Sequence, residues 1–440
     1  MSSHEDETFE HRLEELTEDY THEPVPDHIN TTGWRVAMVI CAIGITLPAI
    51  WVSSDLAIKE GFWKANYAFW LGNAFVAFAG IFTAIIGSRA RLSSYMILQF
   101  SFGPKGARLV NLLMAITLLG WFASTAELFG VALNNGLAEL TGTTIGTSTA
   151  IIIASLLMTA TTIWGYSMVE RFSILSVPLL AAFMFYVAYL GISTADAAIY
   201  AHTPEDGRPL IALVSITIGL AALTAVLMPD FTRYCPNDRQ SIIAAVVGIG
   251  ITYPAVMTMA SVPAVATGEA DFVTMMVGMG VVFAALVVLI FATWSTNITN
   301  LYSATLTLAT FMPKTPNWKI TIGGAIIATT LAVTGVVEQY FIGFLLFLGF
   351  GSMPIIGVYV VDFFFVKDSD YSMDRLKTVA PISFPALIAW GLGFAVGYMN
   401  EFQIFGVTPL PTVDSMVTSA VAYFALVKLM PSRDKATVQG

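Results

Sequence analysis

Residues Ala292 to Asn300 read Ala-Thr-Trp-Ser-Thr-Asn-Ile-Thr-Asn and follow the apolar run Gly280 to Phe291. Two hydroxyls, Ser295 and Thr296, and two amides, Asn297 and Asn300, therefore fall within or near a membrane-buried helix. Polar groups left unsatisfied in hydrocarbon are costly, so such a cluster needs partners. Hydroxyls beside helix carbonyls suit a cation site, and amides suit a small polar solute. The competing reading has Ser and Thr bonding back to their own helix carbonyls and helping helices pack.

A second polar group lies in Leu119-Gly120-Trp121-Phe122-Ala123-Ser124-Thr125-Ala126-Glu127. Trp121 is too deep for an interfacial aromatic belt. Its indole is suited to stack on a planar ligand or to pack against a neighbouring helix. Thr125 follows four positions later on the same face. Glu127 is the one acid placed deep in a span, about 120° around the helix from Trp121. An intramembrane carboxyl reads as a proton relay, a cation partner or a latch, or as a protonated structural group.

Two backbone interruptions could bring such groups together. Gly44-Ile45-Thr46-Leu47-Pro48 sits at mid-depth, where Pro48 removes a donor and disturbs the bond to Gly44. Gly219-Leu220-Ala221-Ala222 sits similarly in a later segment that ends at Pro229. Interrupted helices at matching places in two halves point to the binding site of a secondary transporter.

The elements that must carry these residues are helices. The chain has 440 residues, 56% hydrophobic and 11% charged, against roughly a quarter charged in soluble domains. Twelve apolar segments are expected to span, near 34–53, 66–87, 109–134, 147–165, 173–193, 209–228, 241–265, 273–300, 318–337, 340–366, 381–399 and 412–430. The expected fold is an all-α polytopic membrane protein with 34–430 as one transmembrane domain and 431–440 as a cytoplasmic tail. Residues 1–33 hold ten acids and one base, with His4, His11, His22 and His28. They read as an acidic, solvated cytoplasmic tail rather than a metal site or a signal peptide. With this topology Lys and Arg divide 17 inside to 3 outside, which places both termini in the cytoplasm and the protein in the plasma (inner) membrane.

Cys41 and Cys235 have no metal or disulfide spacing. The chain carries no nucleotide-binding loop, nucleophile elbow or His-Glu metal motif, which argues against an enzyme. Asp230 and Arg233, three residues apart at the inner face, are expected to pair.

Five motifs in order carry a resemblance: Phe100-Ser101-Phe102-Gly103 with Lys105-Gly106; Gly120-Trp121-Phe122; Asp230-Phe231-Thr232-Arg233; Trp294-Ser295-Thr296-Asn297 with Leu301-Tyr302; and Gly357 through Asp362. Together they resemble the nucleobase–cation symporter family of cytosine, purine, allantoin and hydantoin permeases, most of all its cytosine-permease branch. The resemblance implies twelve transmembrane helices, with spans 1–5 and 6–10 as a five-plus-five inverted repeat, broken helices 1 and 6, and two C-terminal helices. It implies Na+ as coupling ion, held by Gly44, Leu47, Ala292, Ser295 and Thr296. It also implies a solute stacked on Trp121 beside unwound Gly219 to Ala222, with Ala221 alongside and Thr125 and Asn297 as polar partners.

The sequence departs from the cytosine-permease pattern at Leu118, where that branch has Gln, and at Ala221 and Leu223, where it has Phe and Ser. Fewer hydrogen-bonding side chains weaken discrimination among polar rings, so the solute stays open among a nucleobase, a hydantoin-like ring, a thiamine precursor and a small amine. The expected function is sodium-coupled import of a small planar nitrogenous solute by alternating access. One alternative is a proton-coupled permease for a different or cationic solute, with Glu127 as H+ carrier. Another is a transporter-like membrane receptor or sensor. The expected partners are the solute and the bilayer, with no nucleic acid and no obligate protein partner.

Overall fold

The computed structural model describes residues 20, 23–202, 204, 207–335 and 340–430. His4, His11, His22 and residues 431–440 lie outside the described residues. Every regular element among the described residues is helical.

The first apolar segment is a broken helix. α1 (Gly33–Gly44) and α2 (Leu47–Glu60) meet at a 59° bend. Local chemistry sets the break. Thr46 is extended, its hydroxyl accepts the Ala49 N–H, and Pro48 occupies the first turn of α2, where a missing N–H removes no helical bond.

α3 (Phe62–Ala90) ends at Arg91, which takes a left-handed conformation with φ 55°. The Arg91 guanidinium then donates to the carbonyls of Val25, Pro26 and Ile29, which ties the N-terminal segment to the end of α3. A short α4 (Ser94–Phe102) leads to α5 (Gly106–Thr141), which carries Trp121, and then to α6 (Thr147–Thr162), α7 (Tyr166–Thr194) and α8 (Ala197–Ala201).

α9 (Leu210–Val226) and α10 (Met228–Thr232) form a second interrupted element, but not where the sequence suggested. Gly219 to Ala222 are regular helix, so the expected unwinding there is corrected. The interruption falls at Leu227 (φ −88°, ψ 1°), two residues before Pro229. Proline lacks the N–H and crowds the carbonyl four residues back, which is that of Ala225. Two side chains cover the carbonyls at the break. Thr83 donates to Ala225 at 2.8 Å and Tyr359 to Val226 at 3.1 Å. Gly219 has a packing role instead: a Cβ there would lie 2.3 Å from the Leu345 carbonyl oxygen. Small residues of this kind let helix backbones touch in a membrane protein.

α11 (Asp238–Ala245) continues through a π-helical stretch, Val246–Thr252, into α12 (Tyr253–Thr267). α13 (Phe272–Gly278), α14 (Val282–Ala309) and α15 (Asn317–Val333) follow. α16 (Phe341–Val361) ends in a second π turn, Asp362–Val366, and α17 (Met373–Thr378), α18 (Phe384–Glu401) and α19 (Pro411–Leu429) complete the chain. Among the described residues seven helices are long and apolar enough to cross a membrane, or eight if the bent α1–α2 pair is one span. α6 and α9 are shorter apolar helices.

Among the buried charged residues, Asp362 and the Asp230–Arg233 region each tie several segments together. Asp362 is fully buried and accepts from Tyr423 and Tyr371, each at 2.6 Å, and from Ser101 at 3.1 Å, with Lys367 Nζ at 3.2 Å. This joins α4, the end of α16, the following loop and α19. At the other junction, Arg233 is fully buried and reaches the backbone of Asp230 as well as aromatic partners. Its Nε donates to the Asp230 backbone carbonyl, and further donors reach Tyr20 O, Tyr234 OH and Tyr302 OH. The Asp230 carboxylate accepts the Ser94 N–H at 2.6 Å, at the N-terminus of α4, where negative charge is favoured. Cys41 and Cys235 are both buried and free. Burial pushes the Cys235 thiol up to about 12, so it stays neutral.

Candidate functional site

A central cavity lies where the α1–α2 break, α5, α9, α12 and α14 converge. Ile43, Gly44 and Thr46 line it from the break, and Leu118 and Trp121 from α5. Leu220, Leu223 and Thr224 come from α9, Leu227 and Phe231 from its continuation, and Tyr253 and Met257 from α12. α14 contributes Thr296, Thr299, Asn300 and Ser303. Among the described residues the lining contains no acid and no base, which suits a neutral solute.

Trp121 is held by aromatic edges. Its ring centroid is 5.7 Å from Phe341 and 5.6 Å from Phe344, both in edge-to-face arrangement. Such contacts fix a ring's orientation, and here they tie Trp121 to the start of α16.

The hydroxyl cluster on α14 meets the broken helix. The Thr296 hydroxyl shares its one hydrogen between the Ala292 carbonyl at 2.9 Å and the Ala42 carbonyl at 3.2 Å, while Ser295 donates to Ala292 at 3.0 Å. Four neutral oxygens from two elements thus collect beside the break. The carbonyl of helix 1 that Thr296 reaches belongs to Ala42. Of the two carbonyls expected from helix 1, Gly44 instead lines the cavity and Leu47 begins α2.

Of the two amides, Asn297 was expected to meet the solute, but Asn300 is the one in the cavity lining. Asn297 is fully buried, donates to the Phe122 carbonyl at 3.1 Å, and accepts from Asn300 Nδ2 at 3.4 Å. It ties α14 to α5 and orients Asn300, and Asn300 is the amide that lines the cavity. Thr299 lines it too. Trp294 turns away, donating to Thr161 and stacking on Phe172.

Thr125, Gly219, Ala221 and Glu127 are buried but do not line the cavity. Glu127 lies beside Gly335, a Cβ on which would stand 3.6 Å from its Oε1.

Sequence reasoning missed Tyr253 and Thr224, whose hydroxyls are 3.1 Å apart. The Tyr253 ring lies against Gly44, where a Cβ would come within 2.2 Å of two ring carbons. The available signal was the glycine itself: only a residue without a side chain admits a ring so close to the break.

Known structures share this architecture. Mhp1 in an inward-facing conformation matches with a TM-score of 0.78 at 20% identity, over 94% of this chain and 95% of that one. Mhp1 in a closed conformation with bromovinylhydantoin bound, described as a nucleobase-cation-symport-1 family transporter, gives 0.76 at 20% identity, over 95% and 98%. A Na+-coupled sialic acid symporter gives 0.69 at 12% identity, over 96% and 95%. At these identities the likeness shows the fold alone.

Among sequences, the cytosine permease of Escherichia coli strain K12 is 26% identical over 420 residues, 94% of this chain and 96% of its own length. The hydantoin permease of Microbacterium maritypicum is 23% identical over 408 residues, 84% and 82% of the two lengths. These relatives are permeases, not enzymes, and this chain is likewise an integral membrane transporter. Residues 24–424 match the family described as permeases for cytosine/purines, uracil, thiamine and allantoin, and the chain belongs to that family.

Proposed function

We propose that the protein is a sodium-coupled symporter that imports a small, neutral, planar nitrogenous heterocycle by alternating access. The observation that carries this reading is the Thr296–Ala42 hydrogen bond at the α1–α2 break, on the margin of the cavity that holds Trp121. Ala42 O, Ala292 O, Ser295 Oγ and Thr296 Oγ1 are hard, uncharged oxygens, a donor set that fits a monovalent cation. Sodium there would bridge the broken helix and α14 by turning hydroxyl lone pairs inward. An ion that favours one arrangement of these two elements favours the solute that binds the same arrangement, and the solute must raise sodium affinity by the same factor.

Trp121 supplies a stacking face and Asn300, oriented by Asn297, a polar contact. We further assign twelve spans, with the first ten as two inverted repeats of five and α18 and α19 outside them. Both termini then face the cytoplasm, with the protein in the plasma membrane. The uncharged lining speaks against a cationic solute, and the position of Glu127 outside it speaks against a proton carrier in direct contact with the solute.

A thermal-shift screen of nucleobases, hydantoins and amines, with and without sodium, tests the reading. Stabilisation by a neutral heterocycle that is larger in sodium is the expected result. Stabilisation by amines alone, or by no member of the panel, would overturn it.

A further inference from the structure

The π-helical stretch Val246–Thr252 sits directly before the cavity residue Tyr253. Thr252 Oγ1 donates to the Val247 carbonyl at 2.9 Å, five residues back, and lies 3.0 Å from Cys41 Sγ on α1. An extra residue in a helical turn shifts the phase of everything after it, and such turns recur at functional sites. Here the turn precedes a tyrosine that lies against Gly44 at the break and bonds to Thr224 on α9.

Most other polar groups of the lining are already engaged, whereas Ser303 Oγ on α14 is buried without a hydrogen-bond partner among the described residues and is a further polar contact for a solute. Thr296 and Thr299 donate to backbone carbonyls, and Asn300 donates to Asn297. The cavity positions Leu118 and Leu223 are apolar. Tyr253 and Thr224 bond to each other at 3.1 Å, with either hydroxyl as donor. Two hydroxyls carry two hydrogens and several lone pairs. Their mutual bond uses one hydrogen, leaving one donor and free acceptors side by side. That is the complement of a lactam edge, in which a ring N–H sits beside a C=O.

We infer that the Tyr253–Thr224 hydroxyl pair is the specificity-determining edge of the cavity, accepting the N–H and donating to the C=O of one lactam unit of the solute. The assignment rests on the transport reading above and adds to it which ring chemistry is read, and by which residues. The Tyr253 ring lies against Gly44 at the break and Trp121 lines the same cavity, so a lactam bound to the pair sits between the two. A site that bonds a ring N–H rejects the isostere lacking it, because its own polar group is then left unpaired.

The test uses the full-length protein in detergent, with binding of uracil, cytosine, hypoxanthine and 5-benzylhydantoin followed in sodium. Each ring that binds is compared with its analogue carrying oxygen in place of a lactam N–H. Wild-type protein is expected to prefer the lactam by about tenfold or more. In Tyr253→Phe and in Thr224→Val that preference is expected to collapse, with the lactam weakened and the oxygen analogue little changed. Thermal unfolding reports whether each variant is folded, and either variant suffices for the comparison. Wild-type protein that binds no ring overturns the transport reading and this inference with it. Wild-type binding with the preference intact in a folded variant, or an equal loss for both ligands, overturns the inference alone.

Discussion

Thr296 donates its hydroxyl to the carbonyl of Ala42, 3.2 Å away and two residues before α1 ends. The contact joins the polar cluster of α14 to the interrupted helix and adds the Ala42 carbonyl to the oxygens gathered at the break. Gly44, at the end of α1, leaves room for the Tyr253 ring at the cavity wall.

Trp121→Ala is expected to weaken heterocycle binding by about tenfold or more, since an aromatic ring pair contributes about 0.5–1.5 kcal/mol beyond the area it buries. Trp121→Phe should fall between, because it keeps a ring against Phe341 and Phe344. Equilibrium binding of a labelled heterocycle checks this, and unaltered affinity in Trp121→Ala would remove the stacking role.

Glu127→Gln is expected to transport with the same pH profile as wild-type protein, because Glu127 lies outside the cavity lining. Uptake measured across pH decides the matter. A flattened profile would restore Glu127 as a proton carrier.

Gly219→Ala is expected to destabilise the protein by about 1–3 kcal/mol, the usual cost of forcing extra volume into a packed contact. The added Cβ would press on the Leu345 carbonyl and separate α9 from α16. Thermal unfolding should register the change while affinity per folded molecule is preserved. The reverse pattern would return Gly219 to the solute site.

Asp362→Ala removes the acceptor shared by Ser101, Tyr371 and Tyr423 and leaves Lys367 unopposed. Breaking a buried ion pair by deleting one partner costs about 3–5 kcal/mol. A large drop in unfolding temperature, smaller in Asp362→Asn, is the expected outcome. Equal stability of Asp362→Ala and wild-type protein would contradict it.

The parts of this architecture written in local chemistry were legible in the sequence. Gly44 through Pro48 states its own break, because a proline, a capping threonine and a glycine act within five residues. The second interruption was misplaced because Gly219 looked like a point of freedom, whereas its lack of a side chain serves a helix crossing that only the fold reveals. Pro229 carried the correct signal. Asn297 and Asn300 stand about 60° apart on a helix, so which one faces the cavity depends on a rotation that periodicity does not fix. Tyr253 escaped notice for a related reason: the preceding π turn changes the phase of the helix, and a 3.6-residue pattern cannot register it. Arg233 was expected to answer Asp230, and its further acceptors on Tyr20 and Tyr302 come from segments that sequence spacing does not bring near it.

The most direct test of sodium coupling through this cluster is equilibrium binding of a heterocycle titrated with sodium, choline replacing it at constant ionic strength, in wild-type protein and in Thr296→Ala. In wild-type protein, sodium is expected to tighten binding, and the heterocycle to tighten sodium by the same factor. In folded Thr296→Ala, the sodium needed for half the effect is expected to rise by about tenfold or more, with affinity in choline unchanged. Equal affinity in sodium and choline for wild-type protein, or an unshifted sodium titration in Thr296→Ala, would contradict the sodium site.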